Sequence, residues 1–331
     1  MTGTATPSTT PKLGVAVNEA LLIPDPTARR RILDHIAGAG LDHVTTGDHI
    51  SFQGGTGFDG LASATSILAT NDSLKVLIGV YLAGLRHPMV TARQLATISQ
   101  IAPARLILGA GVGGEDRSEI SNAGVDPATR GRRLDETLDV LRKLATGEAV
   151  DHQGQFFSLN SARILPPPRP PIPLVIGGSG DAAVRRTATH GDGWLGIFCS
   201  ARRFGDTVER IRGAAAELGR PAPSWFGLSM WCGLGSDGDR ARELLGRRMQ
   251  ALLSEKNCPW WSTASPVASL RSTSSVSSSL RPRVAGSTPA FEISLRSSPP
   301  TPTPRISRAG ATWEMVASCL AVTRGCRSPA R

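Results

Sequence analysis

No apolar run in these 331 residues approaches the roughly 20 needed to span a bilayer; stretches such as Leu106–Ala110 and Leu174–Ile176 stop far short. Neither a collagen period nor a coiled-coil heptad is present, which excludes fibrous architectures. Cysteine is sparse and odd in number. Cys199, Cys232, Cys258, Cys319 and Cys326 show no CxxC spacing, which argues against a disulfide framework or a zinc site and fits a reducing compartment. With no HxxxH pair and no Cys/His cluster, no metal is expected. The N-terminal MTGTATPSTTPK lacks both a basic n-region and an apolar h-region, so a cytoplasmic location is expected. What remains is 40% apolar and 19% charged, enough to bury the core of one barrel or of two ordinary domains.

The net charge of +10 looks like a nucleic-acid footprint until it is divided along the chain. Residues 254–331 carry nine Arg and one Lys against three Asp/Glu, so +7 of the +10 belongs to them. The same stretch holds 17 Ser and nine Pro but only three Gly, whereas the first 253 residues hold 33 of the 36 Gly and all six His. Two compositions meet near Leu253. The expected organisation is a flexible N-terminus over 1–11, a folded domain over 12–253, and an irregular Ser/Pro/Arg-rich tail over 254–331. One account of the tail is a basic arm for nucleic acid or membrane. The account preferred here is a coding sequence read out of frame, since a GC-rich gene shifted by one base yields Ser, Arg, Pro and Ala. No specific nucleic acid and no membrane are therefore expected as partners.

The first part repeats a β-branched run followed by an amphipathic segment, a pattern that predicts parallel strands with helical crossovers. Strands are expected at Leu13–Val17, His43–Gly47, Lys75–Leu82, Arg105–Ala110, Leu174–Gly177, Trp194–Phe198 and Phe226–Cys232. Helices are expected from Pro26 to about Ala39, over Leu61–Thr70, from Pro88 onward, and over Arg130–Ala145, Asp181–Thr189, Arg203–Leu218 and Asp239–Leu253. In Arg130–Ala145, Leu134, Leu138, Leu141 and Leu144 form one apolar stripe, with acids early and bases late to suit the macrodipole. Ala149–Leu159 reads as a hairpin outside the repeat. Seven βα units are countable, and a closed (β/α)8 barrel needs an eighth. The segment where it should lie has no helical or strand period.

Reactive groups in such a barrel sit on the loops that follow the strands. Three rims qualify: TTGDHI with Asp48 and His49, GAGVGGEDR over 109–117, and GGSGD over 177–181. Gly109, Gly111 and Gly114 satisfy GxGxxG, but no helix is expected promptly after Gly114 and no acid-ended strand follows, which opposes a dinucleotide-binding unit. Gly177–Gly180 open a helix whose free N–H groups suit a phosphate, or else form a tight turn. His49 can change protonation near neutral pH beside Asp48, or be an ordinary loop histidine. His87 reads as a cap or rim-packing residue as well as a functional one. Glu115 and Asp116 read as a second acid or as a solvated pair, and His35, His152 and His190 are given no role.

Three ordered motifs, GVYLAGLRHPMVTARQLATISQIAPARLILGAGVGG (79–114), RGRRLDETLDVLRKL (130–144) and PIPLVIGGSGDAAVRRTATHGDGWLG (171–196), strongly resemble the bacterial luciferase-like flavin and deazaflavin enzymes. Within that superfamily the chain is most similar to the coenzyme F420-dependent oxidoreductases of actinobacteria, over roughly residues 12–253. The resemblance implies a TIM-type barrel with an insertion after strand four, its eighth βα unit lost or replaced by the irregular tail. It also implies F420, or alternatively FMN, bound at the C-terminal mouth. Catalytic roles then fall on Asp48 and His49, which also contact the cofactor. A non-prolyl cis bond is implied at Gly79–Val80, with the ring resting against it; Val112 and Gly113 match the loop after strand four, and Gly177, Gly178 and Gly180 the phosphate side. Where F420-dependent sugar-phosphate dehydrogenases put a glutamate after the strand-four glycine, this chain has Gly114 and then Glu115, and their substrate-phosphate lysines have no evident match. The implied activity is hydride transfer between F420 and a small organic substrate. An FMN-dependent monooxygenase and a non-catalytic flavin-binding remnant are the alternatives, and a homodimer is the family's common assembly.

Overall fold

The β-branched runs and the amphipathic stretches between them form the repeating unit of the computed structural model, which describes residues 11–17, 23–232 and 317–324. These belong to one of two compact units, Met1–Ser265 with Val316–Arg331; the other, Pro266–Met315, lies outside the described residues. The chain runs β1 (Lys12–Ala16), α1 (Pro26–Gly38), β2 (His43–Thr46), α2 (Gly60–Thr70), β3 (Lys75–Tyr81), a short 3-10 turn (Ala83–Leu85), α3 (Pro88–Ile101) and β4 (Leu106–Ala110). It continues through α4 (Arg117–Asn122), α5 (Arg130–Leu144), the hairpin β5 (Val150–Gln153) and β6 (Ser158–Ala162), β7 (Leu174–Gly177), α6 (Asp181–His190), β8 (Gly193–Ile197), α7 (Ala201–Glu217), β9 (Trp225–Cys232) and β10 (Ala317–Arg324).

Eight strands close a barrel in the order β1-β10-β9-β8-β7-β4-β3-β2. Seven of them are parallel and match the seven expected strands to within a residue at each end. The eighth, β10, pairs antiparallel with both β1 and β9. This corrects one expectation. A barrel without its eighth βα unit would leave β1 and β9 with bare edges, but a stretch of the tail fills the gap in the reverse direction and satisfies both. The helix expected over Asp239–Leu253 and the remainder of the tail lie outside the described residues. A second correction concerns the loop after β4: a helix, α4, does begin three residues beyond Gly114. Among the described residues no helix is long and apolar enough to cross a membrane.

Local chemistry sets where the helices begin. Asp25, Asp59 and Ser200 accept a backbone N–H in the first turn of α1, α2 and α7, each such cap stabilising by about 1 kcal/mol. Pro26 and Pro88 occupy first-turn positions where their missing N–H costs nothing. His87 caps α3 through its ring and meets Phe157 of the hairpin edge-on. Inside the barrel, Leu77, Ile107, Val175 and Leu195 from four adjacent strands form one buried layer, each worth about 1.5–3 kcal/mol when removed from water. A larger apolar layer, including the α5 leucines, lies between strands and helices.

The floor of the barrel, at the N-terminal ends of the strands, holds His43. Its register partner on β1 is Gly14, and a methyl group on Gly14 would overlap the imidazole. Burial pushes the His43 pKa down to about 4. The ring is thus neutral at neutral pH, and its Nε2 has no hydrogen-bond partner among the described residues.

Candidate active site

Asp48 follows β2 at the mouth and is 2% exposed. Its Oδ1 accepts from Gly60 N (2.7 Å) and Arg86 Nη2 (2.8 Å), and its Oδ2 from Leu82 N (2.8 Å) and Arg86 Nη1 (2.7 Å). Burial pushes this carboxyl's pKa up, against the pull of the guanidinium and the two N–H groups. Arg86 also reaches Asp59 at 2.8 Å and lies over the Tyr81 ring. Both carboxylate oxygens are therefore engaged, leaving Asp48 none with which to meet a ligand. Its geometry is that of an anchor tying the loop after β2 to the end of β3 and the start of α2. Gly60 permits this, because a methyl group there would sit 2.9 Å from the Asp48 Cβ.

His49 turns the other way. Its side chain is 35% exposed, and its ring stacks on Phe52 at 4.2 Å between centroids. Nδ1 faces Glu119 of α4, with Oε1 at 3.3 Å and Oε2 at 3.4 Å. The same buried carboxylate accepts from Ile50 N (2.7 Å) and Ser51 N (3.3 Å), and Asp116 accepts from Gln53 N (2.8 Å). The acids that follow the glycine loop thus hold the histidine loop, with Glu115 alone exposed to solvent.

The peptide between Gly79 and Val80 is cis, where the β3–β4 register shifts between Ile78 and Tyr81, as the family resemblance implies. Val80 projects over glycines from two other strands. Methyl groups on Gly111 and Gly177 would run into the Val80 isopropyl group, and one on Gly109 into the Ile78 carbonyl oxygen. This gives the GxGxxG pattern a different physical basis from nucleotide binding: two of its glycines clear space for the β3 bulge. Gly79 itself borders Thr45 and Leu195. The result is an apolar ledge over the barrel axis, floored by Leu195 and its neighbours.

Beyond the ledge, Val112 is half-buried and packs on the outer core, and Gly113 has a φ of 65° against Leu82. Gly178 has a φ of 125°, a conformation that suits glycine, and its carbonyl accepts from Trp194 Nε1 at 2.7 Å. Gly180 is the N-cap of α6 with no side-chain cap, so that helix start is open to an anion. The structure therefore gathers Asp48, His49, Gly79, Val80, Val112, Gly113, Gly177, Gly178 and Gly180 at one end of one barrel. Two residues that order the site, Arg86 and Glu119, were not singled out from the sequence. Arg86 lies within a quoted motif, but no local signal pairs it with Asp48. Glu119 is 70 residues from His49, and nothing in its neighbourhood announces the contact. Among the described residues no group of three or more His, Cys, Asp or Glu could hold a metal ion.

A ledge cleared by glycine, an imidazole after β2 and an uncapped helix start after β7, all at the same end of the barrel, suit a flat, phosphate-bearing group. Comparison with known proteins points the same way. The family model described as luciferase-like monooxygenase matches residues 4–272. An uncharacterised protein of Mycobacterium tuberculosis is 30% identical over 139 residues, 42% of this chain and 48% of its own. The F420-dependent glucose-6-phosphate dehydrogenase of Nakamurella multipartita is 32% identical over 174 residues, 51% of each chain. The chain thus spans about half the length of the curated relatives it matches. A solved monooxygenase from Streptomyces bottropensis aligns with a TM-score of 0.59 at 23% identity, over 69% of this chain and 72% of that one. An F420-dependent secondary alcohol dehydrogenase, solved with an F420-acetone adduct, aligns at 0.55 and 19%, over 64% and 66%. At those identities the solved structures bear on the fold alone.

Proposed function

This chain belongs to the luciferase-like monooxygenase family, and from that we propose that it is an oxidoreductase that binds coenzyme F420 at the barrel mouth and exchanges a hydride there with a small organic substrate. The observation that carries this reading is the Val80 ledge, an apolar support for a planar ring with Gly111 and Gly177 making room for it. F420 is preferred to FMN because curated relatives at 32% identity are named F420-dependent. When bound, the deazaflavin supplies the carbon that takes or gives the hydride. The chain's own part is positional. Gly79 and Val80 support the ring, Val112 and Gly113 border it, and the backbone at Gly177, Gly178 and Gly180 with the open start of α6 receives the phosphate. His49 takes up or returns the proton that accompanies the hydride, while Asp48 holds the loop that carries His49.

The test is a titration of the purified chain with F420 and, separately, with FMN, followed by cofactor fluorescence. F420 should saturate the chain at least about tenfold more tightly than FMN, a difference of about 1.4 kcal/mol. The reverse order makes the protein a flavin enzyme, and failure of both leaves a barrel without redox function. In the F420 case, His49→Ala should lower turnover by about 10²–10⁴-fold while F420 affinity stays within a few fold. Unchanged turnover removes His49 from the chemistry.

A further inference from the structure

Glu119 sits on a six-residue helix, 3% exposed, and among the described residues every hydrogen bond of its side chain is to the loop after β2. Its Oε1 takes the N–H groups of Ile50 and Ser51, and both oxygens flank Nδ1 of His49. An ionised carboxylate can only accept hydrogen bonds. Nδ1 must therefore carry the hydrogen, and Nε2, with no hydrogen-bond partner among the described residues, is the free nitrogen. The ring has little freedom to escape this assignment: Phe52 stacks on one face, and the absent side chain of Gly57 leaves the space that the His49 Cβ fills. In general, which ring nitrogen does chemistry is set by the hydrogen bond that the other one makes.

We infer that Glu119 is a positioning residue for His49, fixing the imidazole as its Nδ1–H tautomer and so presenting Nε2 as the proton-handling atom of the mouth. The tautomer stands on the geometry alone; the use of Nε2 rests on the function proposed above. In that use, oxidation of a hydroxyl-bearing substrate breaks its O–H bond toward Nε2. A deazaflavin bound at the mouth would supply the acceptor for the C–H electron pair as hydride, the substrate becoming a carbonyl compound. Reduction returns the proton from the same nitrogen.

The experiment is a long-range ¹H–¹⁵N correlation on the full chain labelled at histidine, without cofactor, with the His49 signals assigned by their loss in His49→Gln. The parent should show the Nδ1–H pattern, and the opposite pattern overturns the inference before any variant at position 119 is made. Glu119→Ala removes both oxygens from Nδ1, so the Nδ1–H form should lose its preference and the Nε2–H form should gain. Glu119→Asp keeps an acceptor and should keep the parent pattern, which a purely packing role would not distinguish. An unchanged pattern in Glu119→Ala, or a switched one in Glu119→Asp, overturns the inference. Because the readout needs no cofactor, its failure is separable from a failure of F420 to bind.

Discussion

His43 opens β2 and His49 lies six residues on, in the loop that follows the strand, and their surroundings give them opposite work. His43 lies in the floor, neutral, its Nε2 without a partner among the described residues, fitted against a glycine that leaves room for it. His49 lies at the mouth, partly exposed and paired with a carboxylate 70 residues away. The floor is held by shape and the mouth by charge. One residue type serves both because burial suppresses the protonated imidazole at the floor, whereas at the mouth a carboxylate orients the ring through Nδ1.

The comparison can be broken most sharply at Arg86. Arg86→Ala strands the buried Asp48 without its counter-charge and should cost about 3–5 kcal/mol in urea denaturation. A loss near that of an exposed ion pair would mean that charge does not hold the mouth. At the floor the expected signature is a pH dependence. Above its unfolded pKa, near 6.5, His43 is neutral in both states. Between there and about 4, the unfolded chain takes up a proton that the folded chain refuses. Stability should therefore fall as pH drops through this window, by up to about 3 kcal/mol. Several carboxylates also titrate there, so the measurement is the difference from His43→Gln, whose curve should be flatter. Equal slopes would show that the floor histidine protonates freely. The smallest effect is expected on the phosphate side. Gly180 has extended backbone angles and open space around it, so Gly180→Asp should cap α6 and stabilise the fold by a few tenths of a kcal/mol. The same carboxylate should weaken binding of F420, and unchanged affinity would place the phosphate elsewhere.

The seven parallel strands were legible because each is a short β-branched run bounded by turn residues, and alternation with helices fixes their direction. Asp48 and His49 were legible as residues at a strand end, but not their division of labour, because that depends on Arg86 and Glu119 arriving from distant loops. The strand Ala317–Arg324 was not legible at all. Its segment has no strand period of its own, and what organises it is the pair of open edges offered by β1 and β9. The helix α4 was missed for a related reason: five polar residues around a single isoleucine carry no apolar stripe, and their placement comes from Ile120 packing with Leu82, Leu85 and Val125 and from Asp116 and Glu119 bonding outward to another loop.

The isopropyl group at position 80 occupies room that Gly111 and Gly177, from different staves of the barrel, leave vacant. Those positions therefore share a single volume and cannot drift independently. A bulkier residue at 80 cannot grow toward either glycine, and a methyl group on either glycine requires a smaller residue at 80. Anyone recutting this mouth for a different prosthetic ring has to treat the three as one joint, altered together or left alone.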